Sequence, residues 1–191
     1  NLALKGITGN IEYKIGSDVL PATHTTPESL ELNEILSTMV DSGCSSVSME
    51  VSSHALDQSR VFGLHYKVAV FTNLTQAHLD YHGSMEEYFR AKRTLFMEMN
   101  PSFAVTNKDD EWGMKIVDGT SGKCLTYSAA LPADVTATNV ALSIEGTRFN
   151  VAHKGETTSV TSQLVGRFNV QNILAAFSAS IALGIPKQHI Q

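Results

Sequence analysis

Charge is scarce in this chain. Asp, Glu, Lys and Arg make up 17% of its 191 residues, against about 25% in an ordinary soluble protein. That scarcity speaks against a disordered or tail-rich chain and for a substantial core. Cysteine is scarcer still. Cys44 and Cys124 are the only two, and no metal-type spacing surrounds them. A disulfide framework is therefore not expected, and both read as reduced thiols. No run of about 18 apolar residues exists, so no membrane-spanning helix is expected. No basic stretch leading into a short apolar one opens the chain, so no secretory signal is expected, and the location read from this is cytoplasmic. Lys and Arg number 14 against 19 Asp and Glu, a net charge of -5. That balance argues against a dedicated nucleic-acid binder. Neither nucleic acid nor membrane is expected as a partner.

Two catalytic signatures are also missing. Gly6-Ile-Thr-Gly9 is not followed by the Lys-Ser/Thr that a nucleotide phosphate loop needs, and Gly122-Lys-Cys124 lacks both the hydroxyl and the earlier glycine. Ser52-Ser-His54 lacks the flanking glycines of a nucleophile elbow. A Ser/His hydrolase is accordingly a poor reading.

What is present alternates. Ile11 to Ile15, a Gly-Ser-Asp turn and Val19-Leu20 predict a hairpin. Thr26 reads as a helix N-cap with Pro27 at the first helical position. Leu32, Ile35, Leu36, Met39 and Val40 recur at helical spacing up to Gly43. Ser46–Val51, Lys67–Phe71 and Ser102–Thr106 read as buried strands separated by helices. This pattern predicts an α/β fold, a mostly parallel sheet flanked by helices. From about Leu125 the pattern changes. Val135–Leu142, Thr147–Ala152 and Ser159–Leu164 predict a small antiparallel sheet attached to the first, and a helix from about Asn169 to Leu183 closes the chain. One domain over 1–191 is the expected count.

In a parallel sheet, ligands bind beyond the carboxyl ends of the strands. Three such ends are polar here: Glu50 with Ser52-Ser-His54, Thr72 through His82, and Asn107-Lys-Asp-Asp110. Ser84-Met-Glu-Glu87 is a capping box that starts a helix. On that helix Lys92 shares the apolar stripe of Tyr88, Phe89, Leu95 and Phe96, while Arg90 and Arg93 turn away from its centre. A lysine there has two readings. Its stem covers the core while its ammonium snorkels to water, or burial favours a neutral, reactive amine. His78, Asp80 and His82 offer ligands for a divalent ion together with Glu50. On spacing alone, a polar loop capping the next helix is the better reading of them.

Taken together, several segments resemble one family. They are His24-Thr-Thr-Pro27, Met49-Glu-Val-Ser-Ser-His-Ala-Leu-Asp-Gln-Ser-Arg-Val61, Phe71-Thr-Asn-Leu-Thr-Gln-Ala-His-Leu-Asp-Tyr-His-Gly83, Ala91-Lys92 and Gly166-Arg-Phe-Asn-Val-Gln-Asn172. In this order they resemble the Mur ligases, and within them the MurE type. The resemblance implies the central, ATPase-like domain, with the family's phosphate loop upstream of Asn1 and its N- and C-terminal domains outside these residues. It implies an ATP-dependent amide ligase of peptidoglycan precursor synthesis. That enzyme adds the third amino acid, meso-diaminopimelate or L-lysine, to UDP-N-acetylmuramoyl-L-alanyl-D-glutamate through an acyl phosphate. The 191 residues alone should not be a competent ATPase. The same resemblance makes Glu50, His78 and a CO2-derived carbamate on Lys92 the Mg2+ ligands. It makes Thr25, Thr26, Ser52, Gln58 and Arg60 substrate contacts. Asn172 becomes the ATP contact, with Asn169 beside it or serving only as a helix cap. One departure is Ala77, where the family usually carries aspartate, although related muropeptide ligases also carry alanine there. The alternatives are another carboxylate–amine ligase (MurF or folylpolyglutamate synthase type), a non-catalytic binding relative without a phosphate loop, and a metal-dependent hydrolase using His78, Asp80 and His82.

Overall fold

A computed structural model describes residues 5–8, 12–22, 24–186 and 189–190. The chain divides into two compact units, Asn1–Leu64 and His65–Gln191.

The first unit contains β1 (Lys5–Thr8), β2 (Glu12–Ile15), β3 (Asp18–Pro21), α1 (Ser29–Asp41), β4 (Ser46–Met49) and α2 (Ser53–Asp57). Its sheet runs β3-β2-β1-β4, with β1 and β4 parallel and the other pairs antiparallel. The expected hairpin is β2–β3; Ile11 lies outside the described residues. Helix α1 buries Leu32 and Met39, one stripe of its surface. Met39 lies against β1 at Gly6, where a Cβ would stand 2.3 Å from its Sδ. The strand read as buried, β4, is the edge of this sheet, and Val47 is 40% exposed. Its apolar alternation therefore does not correspond to burial within the unit.

Helix α1 does not start as the sequence predicts. Its first residue is Ser29 and its N-cap is Glu28, which makes no side-chain capping bond. Thr26 is no cap because its hydroxyl is used elsewhere, as described below.

The second unit contains β5 (Val68–Phe71), α3 (Leu79–His82), α4 (Met85–Met97), β6 (Phe103–Asn107), α5 (Gly113–Val117), β7 (Lys123–Ser128), β8 (Val135–Ser143), β9 (Gly146–His153), β10 (Glu156–Ser162) and α6 (Arg167–Ala182). One six-stranded sheet runs β10-β9-β8-β7-β6-β5. Strands β5 to β8 are parallel, and β8, β9 and β10 form an antiparallel meander continuous with them. Strand β7, which the sequence reading missed, joins the two halves. The β9–β10 turn is Lys154-Gly155, with φ of 49° and 78°. Both values are left-handed, as a two-residue hairpin turn requires.

Helix α6 starts at Arg167, earlier than expected, and presents Val170, Leu174 and Phe177 at helical spacing to the sheet. With Val105, Tyr127, Val135, Phe149 and Val151 these side chains make the core. The other face of β6 is covered by α5: Thr106 Oγ1 donates to the Gly113 carbonyl at 2.6 Å. Consecutive β6 residues point to opposite faces, and Ala104 through Asn107 are all buried. The sheet is thus covered on both faces at β6, as a parallel sheet requires.

Candidate active site

In the first unit, the residues read as substrate contacts meet around two turns. Tyr13 on β2 donates its hydroxyl to the His24 carbonyl at 2.7 Å, which fixes the turn that carries Thr25 and Thr26. Thr26 is 1% exposed. Its hydroxyl donates to the Glu50 carbonyl at 2.9 Å and accepts from the Ser52 amide at 3.0 Å. It therefore braces the loop that leaves β4. Ser52 in turn caps α2, its Oγ accepting from the Ala55 amide at 3.2 Å. Arg60 completes the cluster. Its Nε donates to Gln58 Oε1 at 2.8 Å and its Nη1 to the Thr26 carbonyl at 3.1 Å. Its Nη2 reaches Gln58 Oε1 and lies 2.9 Å from the Glu28 carboxylate. The structure thus brings Thr26, Ser52, Gln58 and Arg60 together and adds Glu28, which the sequence reading passed over. Glu50, exposed at the end of β4, joins this network through its backbone carbonyl.

In the second unit, an aromatic ring organises the rest. Ser84 caps α4, accepting from the Glu87 amide at 3.2 Å as the capping box predicts, while the Glu87 carboxylate pairs with Arg90 at 2.6 Å. Tyr88 then falls on the buried stripe at 6% exposure. Three side chains of interest contact its ring. His78 meets it edge-on at 6.0 Å, His82 stacks on it at 5.0 Å, and Lys92 Nζ lies 5.5 Å from its centre. Burial pushes the Tyr88 phenol above its ordinary pKa, so the hydroxyl stays protonated. Lys92 is half-buried, as its place on the stripe predicts. Arg93, off the centre of that stripe, is engaged as well. It lies over Phe89, donates to the Asp118 carbonyl at 2.6 Å, and its Nε is buried. His78 itself is left-handed, with φ 57° and ψ 23°. That conformation is uncommon for a residue with a side chain and recurs at functional positions.

The third polar strand end is built as a brace. Asn107 Nδ2 donates to the Thr72 carbonyl at 2.8 Å. Asp110 accepts from the amides of Leu74 at 3.1 Å and Trp112 at 2.9 Å. Asp109 accepts from the Ser128 hydroxyl, from the Ala129 amide at 2.7 Å and from Gln171 at 3.4 Å. Tyr127 donates to the Phe71 carbonyl at 3.2 Å. Burial, reinforced by Asp109 and Asp110, holds its phenol far above the ordinary range. The sequence marked this strand end as polar but assigned its aspartates no role. Their position directly after a strand, where Asx side chains bind nearby backbone, was the signal.

Asn169 is not a helix cap, because α6 is capped by Gly166. It sits in the first turn, where its Nδ2 donates to the Val165 carbonyl at 2.9 Å. Asn172, exposed one turn on, donates to Asn169 Oδ1 at 3.3 Å. The two asparagines are therefore coupled. Among the described residues, no three His, Cys, Asp or Glu side chains gather as metal ligands. His78, Asp80 and His82 accordingly do not form a ligand set by themselves.

The profile of the Mur ligase middle domain matches residues 2–180. The chain belongs to the Mur ligase family. A UDP-N-acetylmuramoyl-L-alanyl-D-glutamate--2,6-diaminopimelate ligase from Geobacter sulfurreducens is 44% identical over 186 residues, covering 94% of this chain and 36% of the relative. The protein of the same name from Bacillus cereus is 42% identical over 192 residues, covering 97% and 39%. A solved structure titled with that ligase name superposes with a TM-score of 0.90 at 33% identity, covering 98% of this chain and 39% of its own. The chain thus spans under two-fifths of the length of these Mur ligases. The Arg60 cluster and the Tyr88 cluster both lie within the segment matched to the middle domain.

Proposed function

We propose that this chain is the middle, ATPase-like domain of an ATP-dependent ligase. That ligase joins 2,6-diaminopimelate to UDP-N-acetylmuramoyl-L-alanyl-D-glutamate in the cytoplasm. The observation that carries the reading is the Arg60 cluster: Thr26, Ser52, Gln58 and Arg60 are held in one hydrogen-bonded network. They lie inside a sequence more than 40% identical to proteins named for that activity.

In this reading the D-glutamate carboxylate of the substrate attacks the γ-phosphorus of ATP. A carboxylate oxygen–phosphorus bond forms as the bond to ADP breaks. The incoming amine then attacks the acyl carbon, loses a proton to solvent and displaces inorganic phosphate. Arg60 holds a substrate anion by charge-assisted hydrogen bonds. Thr25 and Gln58 are further substrate contacts in this reading, and the hydroxyls of Thr26 and Ser52 also fix the loop. Asn172, oriented by Asn169, contacts the nucleotide.

The resemblance assigns Mg2+ to Glu50, His78 and Lys92, and the chemistry of that donor set sets one condition. Two protein ligands, Glu50 and His78, are too few for a hard cation, and a third oxygen donor must come from Lys92. An unprotonated Lys92 amine adds to CO2, its nitrogen bonding to carbon and its proton passing to solvent, and a cation becomes a carboxylate. Lys92 is half-buried on the α4 stripe, beside the Tyr88 ring. Glu50, His78 and the carbamate would then hold the ion. Bound there, it supplies charge neutralisation to phosphoryl transfer. The test is Lys92→Ala in the full-length ligase. Loss of about three orders of magnitude in kcat is expected, the scale of removing a charge-stabilising group. Short-chain carboxylic acids should restore part of it and bicarbonate should not. Full activity without additives would sink the carbamate role.

A further inference from the structure

The Arg60 guanidinium is more fully engaged than a free anion receptor would be. Arginine carries five N–H donors in a rigid fork. Here they serve Gln58 Oε1, the Thr26 carbonyl and the Glu28 carboxylate. The partners differ in kind. Gln58 and the Thr26 backbone belong to the loop network and hold the guanidinium in place. Glu28 is the only one with a charge, and it sits on the outside. Its side chain is 61% exposed, whereas that of Arg60 is 14% exposed. Glu28 is also the residue at which α1 begins, and its side chain makes no capping bond. The helix therefore does not need the carboxylate, which is spent on Arg60.

We infer that Glu28 is a specificity-determining gate on Arg60: its carboxylate occupies the guanidinium face that a substrate carboxylate must take. The inference rests on the ligase reading, in which Arg60 binds the substrate anion. Exchange is inexpensive. A pair with one well-exposed partner contributes little in water, so an incoming carboxylate replaces it at small cost. An uncharged group cannot, because it would leave the half-buried guanidinium without a counter-charge. The gate thus selects for an anion at that position. In the UDP-muramoyl dipeptide, the chemistry leaves one of the two D-glutamate carboxylates unreacted, and that group is the one assigned to Arg60.

The test uses the full-length ligase with Glu28→Gln, and with Glu28→Ala as a second variant. Steady-state kinetics are measured with the UDP-muramoyl dipeptide and with an analogue whose unreacted D-glutamate carboxylate is an amide. Removing the competing carboxylate should lower KM for the dipeptide by up to about fivefold, the ceiling for an exposed pair. The change should fall on KM rather than kcat, and the amide, which Glu28 excludes, should gain at least as much as the dipeptide, so that discrimination between them narrows. Thermal unfolding midpoints check that both variants fold. A KM that is unchanged or raised overturns the inference, and so does a fall confined to the dipeptide. If the parent protein neither binds nor turns over the dipeptide, the ligase reading fails and the gate falls with it. If the parent turns it over and Glu28→Gln behaves as the parent, the gate alone fails.

Discussion

Two segments leave parallel strands of the same sheet and are built in opposite ways. The turn after β6, from Asn107 to Gly113, spends its polar groups on the protein. Asn107, Asp109 and Asp110 each bind backbone of a neighbouring loop. The segment after β5, from Thr72 to Ser84, keeps polar side chains at the surface: Asp80 and Tyr81 are exposed, and His78 is exposed and left-handed. Its histidines are positioned through ring contacts with Tyr88. In the proposed function, the difference separates a scaffold from a working edge. Charged groups that already accept several hydrogen bonds cannot take a ligand without losing them. His78, by contrast, stays exposed at the surface beside the Tyr88 ring.

Breaking the scaffold should have the largest effect on stability. Gly113 starts α5 where the backbone passes β6, and a Cβ there would lie 1.8 Å from the Asn107 carbonyl oxygen. That neighbour is backbone and cannot rotate away. Gly113→Ala must push α5 off β6 and strain the Thr106–Gly113 hydrogen bond. A loss of about 3 kcal/mol or more is expected, as for other severe overpacking. Urea unfolding of the variant measures it, and a change under about 1 kcal/mol would show that the turn adapts.

The same contrast explains what was legible in the sequence. The α4 cap was legible because Ser84 and Glu87 interact locally, and the place of Lys92 followed from the helical period. The core face of α6 was equally plain in Val170, Leu174 and Phe177. Long-range partners were not. Nothing near Thr26 announces that its hydroxyl bonds a loop 24 residues away, so a local capping role was the natural reading, and the wrong one. Strand β7 was missed because Lys123–Ser128 is short and carries Lys and Cys at its exposed start. Its identity as a strand comes from its parallel partners β6 and β8. Glu28 and Tyr88 gain meaning only from contacts across turns. The sequence supplied candidate residues, and which of them brace backbone and which stay at the surface required coordinates.

Asp109 tests the scaffold from its polar side. Its carboxylate accepts from the Ser128 hydroxyl, the Ala129 amide and Gln171. Asp109→Ala leaves those donors without their acceptor at the carboxyl end of β7. Hydrogen bonds to a charged group contribute about 1.5–3 kcal/mol, so a loss near 2 kcal/mol is expected in the same unfolding assay. Asp109→Asn should recover part of it, because one oxygen remains to accept. Equal losses in the two variants would mean that packing rather than hydrogen bonding carries the residue.

His78→Gly sharpens the comparison most, because it should cost the least stability at a position argued to work. Left-handed backbone costs a residue with a side chain roughly 1 kcal/mol that glycine avoids. Glycine in turn gives the unfolded chain about 0.5–1 kcal/mol more entropy to lose. The two terms nearly cancel. The edge-on contact with Tyr88, at 6.0 Å, is a weak one. The unfolding free energy of His78→Gly should therefore stay within about 1 kcal/mol of the parent. In the full-length ligase, activity should nonetheless collapse, since an imidazole assigned to the metal has gone. A variant that is stable and inactive is what a working edge predicts. Had His78 been a brace like Asp109, stability and activity would fall together.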